Sequence, residues 1–151
     1  MERKEFEEWA IDVMSRSEMV VLATMGKEPY PHQRALFNFR DGRRFPTLAD
    51  YQSDKGLSVY LGTNTSSIKV HEVGEKPWIS VYYIIPAEIK GLCLSGKATP
   101  DPEAKAALWE EGWEMYYPKG RTDPDYTVLR LDPVRARGWG SSSLEGFDLE
   151  L

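Results

Sequence analysis

Thr63-Asn64-Thr65-Ser66-Ser67-Ile68-Lys69 gathers four hydroxyls, an amide and a cation within seven residues. A β-rich run, "LSVYLGT", leads into it and ends near Gly62, and the spacing predicts a short helix from about Ser66 to Val73. A helix start offers unpaired backbone N–H groups and the positive end of the helix dipole. Hydroxyls from Thr63, Thr65, Ser66 and Ser67 add donors, and Lys69 in the first turn adds a full charge, so these are parts that can hold a phosphate. The same residues also read as an ordinary helix cap. The stretch is not a P-loop, because Ile68 and Val70 stand where that motif needs a glycine and a hydroxyl. Arg34, in "HQRALFNF", faces opposite to Ala35 and Phe37, and strand pairing would bring its guanidinium beside the cluster.

Other reactive groups are sparse. His32 and His71 are the only histidines and no third ligand accompanies them, so no metal site is expected. Cys93 is the only cysteine, which excludes an intrachain disulfide; it alternates with leucines in "GLCLSG" as a strand residue. "SSS" and "LEGFD" near the carboxyl end form no nucleophile, base and carboxylate set.

The elements that would position the cluster follow from hydrophobic period. Phe6, Trp9, Ala10, Val13 and Met14 fall on one helical face, so an amphipathic helix is expected over residues 1–17. "MVVLATM" and "HQRALFNF", joined by the turn-rich "GKEPYP", predict a β-hairpin. Residues 43–56 lack a period and read as a long loop or flap. "WISVYYII" and "KGLCLSGKAT" predict two strands, with Gly91 and Gly96 marking a bulge or a close backbone approach. Asp101 and Pro102 open a helix expected to close before Pro118. "YTVLRLDP" and "RARGWG" read as two short strands, and 141–151 as a polar tail. Six or seven strands without strict strand–helix alternation point to one mainly β domain over residues 1–151, an antiparallel β-barrel with peripheral helices.

Composition sets the outer limits. With 41% apolar and 28% charged residues the chain reads as a packed globule with a soluble surface, and its longest apolar run is too short to span a bilayer. The net charge of −5 argues against general nucleic-acid binding. The charged amino terminus lacks the apolar core of a signal peptide, so a cytoplasmic location is expected.

In order and spacing, these pieces resemble the FMN-binding split barrel of the pyridoxamine 5'-phosphate oxidase-like superfamily, especially its general stress protein branch. The resemblance rests on the leading helix, "VVLATMGKEPYPHQRAL", "VYLGTNTSSIKVHEV", "KPWISVYY", "LCLSGKAT", "YYPKGRTDPDYTVLRLDP" and "RARGW", and covers about residues 5–140. It implies a homodimer with FMN at the subunit interface. Residue by residue, it implies that Arg34 contacts the flavin or its phosphate, that Thr63, Ser67 and Lys69 hold the phosphate, that backbone at Leu36 and Gly62 lines the ring, and that Trp139 reaches the site from the closing strand, with the partner chain as one source.

The sequence also departs from the vitamin-forming oxidase. Phe39 stands where that enzyme has a lysine, Ile68-Lys69 stands for an Arg-Lys pair, and the carboxyl-terminal Arg-x-His motif is missing. Pyridoxamine-phosphate oxidation is therefore not expected. The expected function is FMN-dependent oxidoreduction of an unassigned substrate. The alternatives are a non-catalytic flavin-binding or stress-related protein, or a barrel that uses haem or a deazaflavin. No catalytic acid or base stands out, and residues 43–56 are a candidate lid over the flavin.

Overall fold

Helix α1 (Arg3–Arg16) buries Phe6, Ala10, Val13 and Met14, the stripe set by its 3.6-residue period, and leaves its charged residues to solvent. The computed structural model describes residues 2–140 and 146–151 of the chain. After α1 come β1 (Met19–Met25), β2 (Pro31–Phe37), α2 (Pro46–Tyr51), β3 (Val59–Asn64), α3 (Ile68–Glu75), β4 (Trp78–Ile85), β5 (Lys90–Pro100), α4 (Pro102–Ala107), β6 (Tyr126–Trp139) and β7 (Gly146–Glu150). The fold is mainly β: the seven strands pair antiparallel in the order β2-β1-β4-β5-β6-β3, with β7 on the far half of β6.

The sheet curls into a split barrel. Its terminal strands, β2 and β3, have no ladder between them among the described residues, yet both line one cleft, so the seam stays open there. Strict alternation fills the inside: Val20, Leu22 and Thr24 of β1 and Ile79, Val81, Tyr83 and Ile85 of β4 are all buried. α1 covers this core. A second core holds Phe39, Phe45, Leu48, Tyr60, Leu108, Tyr117 and Tyr126 behind the seam.

Several expectations change. Residues 43–56 are not a structureless flap: α2 lies within them, Leu48 is fully buried, and none of them lines the β2–β3 cleft. Gln52 donates to the Phe39 carbonyl at 3.0 Å and Arg40 to the carbonyls of Gly56 and Ser58, which ties the end of the segment back to the residues that precede it. The two closing strands are one, because Pro133 and Val134 sit at a bulge rather than a break: Ser95 pairs with Arg135 and Gly96 with Pro133, leaving Val134 over. Gly96 is the glycine the bulge requires, since a Cβ there would lie 2.6 Å from the Asp132 carbonyl.

The helix opened by Asp101, whose side chain accepts from the Ala104 N–H at 2.9 Å, stops at Ala107. Leu108 leaves helical geometry at ψ 82, Gly112 turns at φ 96, and only a 3₁₀ turn, Trp113–Met115, follows. The expected polar tail supplies strand β7, clipped to β6 by Asp148 between Arg135 and Arg137; residues 141–145 of it lie outside the described residues. Among the described residues, no helix is long and apolar enough to cross a membrane, and no cluster of three metal-ligating side chains occurs.

Candidate functional site at the open seam

The cleft in the seam has a volume of about 600 Å³, within the range of small-ligand sites. β2 contributes Ala35, Leu36 and Phe37 to it, β3 contributes Gly62, Thr63 and Asn64, and Lys69 enters from the first turn of α3. The remaining wall is aromatic and apolar: Phe39, Trp113, Met115, Tyr116, Tyr117 and Tyr126. Lys69 is the only charged side chain among the lining residues. The lining thus offers a cation for an anion and aromatic faces for a planar apolar group.

Gly62 makes the shape possible. The Phe39 ring lies so close over it that a Cβ would sit 2.5 Å from Cζ of that ring. Phe39, where the vitamin-forming oxidase has a lysine, is buried and packs edge-on against Phe45 and tilted against Trp113.

The polar turn divides its labour. Asp125 accepts from the Ser66 N–H and from the Asn64 amide, each at 2.9 Å, and Thr65 Oγ1 donates to the Pro124 carbonyl at 2.8 Å. The Ser66 bonds first, then that of Asn64, hold the Asp125 carboxyl below the usual range. The Ser66 N–H is thereby spent on the chain's own carboxylate, and the Thr65 hydroxyl on a backbone carbonyl. Ser67 is the N-cap residue of α3, with the helix proper starting at Ile68 rather than Ser66; its hydroxyl donates to the Asn64 carbonyl at 2.7 Å, and it is not among the lining residues. Thr63, buried beside Lys69, keeps its place on the cleft wall.

Arg34 lies on the inner face of β2, opposite Leu22, and is also outside the lining itself. Partial burial first, and then the charge of Arg34, push the Lys69 amine below its ordinary range. Leu36, Gly62, Thr63 and Lys69 are therefore brought together, with Arg34 near Lys69. Trp139 is not. It sits at the end of β6, 5.8 Å from the Tyr82 ring on the outer face of the sheet.

Sequence reading missed the support behind these cations. Thr24, His32 and Glu72 form a half-buried polar knot: His32 Nδ1 lies 2.9 Å from Glu72 Oε1, and Thr24 Oγ1 donates to Glu72 Oε2 at 3.1 Å. The His32 bond, above all, holds the Glu72 carboxyl below the usual range. The partners are 40 and 48 residues apart, so no local spacing could show them. Asp125 was missed as well, because its partners Asn64 and Ser66 lie 61 and 59 residues away.

The model of the pyridoxamine 5'-phosphate oxidase family matches residues 6–140. The chain belongs to this family. Solved structures of the same fold include a Clostridium acetobutylicum protein related to general stress protein 26 of B. subtilis (pyridoxinephosphate oxidase family), 25% identical, with TM-score 0.77 over 99% of this chain and 97% of that one. A pyridoxamine 5'-phosphate oxidase-related, FMN-binding protein of Nostoc punctiforme matches at 16% identity, TM-score 0.63, over 98% and 94%. A haem-binding protein of Mycobacterium smegmatis matches at 16%, TM-score 0.68, over 99% of this chain and 60% of its own. A curated relative, mannose-6-phosphate isomerase ManA of Bacillus subtilis (strain 168), is 29% identical over 91% of this chain, which spans only 46% of that protein's length. Within the pyridoxamine 5'-phosphate oxidase family, the open seam is thus built here with an aromatic wall and one lysine on it.

Proposed function

We propose that the β2–β3 cleft binds FMN and that the chain is a flavin-dependent oxidoreductase acting as a homodimer. The observation that carries this reading is the convergence of Leu36, Gly62, Thr63 and Lys69 on one cleft whose lining combines a lysine with aromatic walls. Thr63 and Lys69 would hold the phosphate, with Arg34 adding charge beside them. Leu36, Gly62 and the rings of Phe37 and Trp113 would flank the isoalloxazine. Bound flavin supplies the redox chemistry. The chain's own residues supply orientation: the aromatic wall offers faces for the ring, and Tyr117, whose hydroxyl donates to Asn64 Oδ1 at 3.1 Å, ties that wall to the polar turn.

The homodimer has its own support. The outer faces of β4 and β6 expose Trp78 (61%), Ile84 (42%) and Trp139 (37%), large apolar groups that a single copy leaves in water. A second copy covering these groups would also account for Trp139, which has no role at the cleft of its own chain.

Absorption of the purified protein tests the cofactor. Two visible flavin bands, or their appearance on reconstitution with FMN, are expected. A Soret band would assign haem instead, the reading favoured by the Mycobacterium smegmatis neighbour, and a colourless protein that takes up no FMN overturns the flavin reading. Reduction of the bound flavin by a nicotinamide separates an enzyme from a carrier.

A further inference from the structure

Arg34 is held through one nitrogen. Its Nη1 donates to Thr24 Oγ1 at 2.7 Å, to the His32 carbonyl at 3.0 Å and to the Leu22 carbonyl at 3.4 Å. Nη2 and Nε have no hydrogen-bond partner among the described residues. A guanidinium fixed on one side presents its other donors in a set direction.

Thr24 decides whether that anchor works. Only 1% exposed, its hydroxyl has one proton to give. Glu72 Oε2 takes that proton, at 3.1 Å, which leaves the Thr24 oxygen a pure acceptor toward Arg34. Glu72 is fixed in turn: its side chain is 6% exposed, and His32 Nδ1 meets its other oxygen at 2.9 Å while His32 Nε2 lies 3.2 Å from Glu28. Glu72 also stands one turn beyond Lys69 on α3, so the same helix carries the cleft's lysine and the carboxylate that orients its arginine.

We propose that Thr24 and Glu72 are positioning residues: through the Thr24 hydroxyl, Glu72 aims Arg34 at the anionic end of the ligand in the β2–β3 cleft. This rests on the reading that the cleft takes a ligand's phosphate. It goes beyond that reading in assigning the arginine's direction to a buried relay that touches no ligand. Simple charge predicts the opposite sign for Glu72, since a carboxylate beside two cations weakens their pull on an anion.

FMN and riboflavin share a ring and differ in the phosphate, so fluorescence titration of the full chain with each isolates the phosphate term. Thr24→Val keeps a β-branched, strand-compatible side chain and removes only the relay. Its affinity for FMN is expected to fall about tenfold, the weight of one charge-assisted hydrogen bond, with riboflavin unchanged. Thr24→Ser should restore FMN binding. Glu72→Ala should also lower FMN affinity, against the Coulombic sign. Equal FMN affinity in Thr24→Val and the parent, an equal loss for both flavins, or a gain in Glu72→Ala overturns the relay while leaving the cofactor reading intact. A parent protein that binds FMN no better than riboflavin overturns the phosphate reading and the relay with it.

Discussion

At the residue scale, the cleft turns on one cation and one missing side chain. Lys69 is the only charge on its wall among the described residues, and a charge-assisted contact to phosphate contributes about 1.5–3 kcal/mol. Lys69→Ala should therefore weaken FMN binding about 10- to 100-fold in a titration; unchanged affinity would remove Lys69 from the phosphate site. Gly62 is constrained by sterics rather than charge. An alanine Cβ there meets the Phe39 ring at 2.5 Å, and that ring is wedged against Phe45 and Trp113, so it has little room to yield. Gly62→Ala should cost about 1–3 kcal/mol in urea unfolding, the range of an overpacked core, and should also reduce flavin affinity. A variant as stable as the parent would show that Phe39 moves freely.

At the element scale, two segments that look dispensable in sequence carry packing. α2 sits in the region expected as a lid, but Leu48 is fully buried behind the seam and the segment lines no part of the cleft. Leu48→Ala should destabilise the fold by about 2–5 kcal/mol and, under conditions where the variant remains folded, leave FMN affinity unchanged; the reverse pattern would restore the lid. β7 adds an ion-pair clip to its backbone ladder with β6. The bidentate Arg135 bond first, then Arg137, holds the Asp148 carboxyl down to about 2. A folded-state value below the ordinary 3.8 stabilises the clip above that pH, and the contribution is lost as pH falls from about 4 to about 2. Amide exchange at Phe147 and Leu149 should quicken across that window, and Asp148→Asn should exchange quickly on both sides of it.

At the scale of the whole molecule, the exposed outer sheet face is where the proposed homodimer is tested. Trp78 and Ile84 project from β4 because their neighbours Ile79, Val81, Tyr83 and Ile85 point inward. Trp78→Glu should shift the protein to a monomer by sedimentation velocity if the homodimer buries this face, and flavin affinity should fall with it if the cleft is completed across the interface. A parent protein that sediments as a monomer would reject the dimer. The match between expectation and structure was best where a short period dictates facing: α1, the β1–β2 hairpin, β4 and the opposite facing of Arg34 and Ala35 are all legible in local pattern. It was poorest where one residue cannot reveal its partner, as with the chain-end strand β7, the single bulged β6 and the short α4.

The sequence by itself determined a mainly β chain, its seven-residue polar turn and the residue types an anion site needs, because alternation, caps and turn chemistry act over a few neighbouring residues. Only the tertiary structure decided how those donors are used. Sheet curling brings β2 and β3 to one seam, Asp125 arrives from 59 residues away to occupy the Ser66 amide, and Glu72 reaches back to Thr24 to orient Arg34. Each is a long-range pairing, set by which strands meet and not by which residues adjoin.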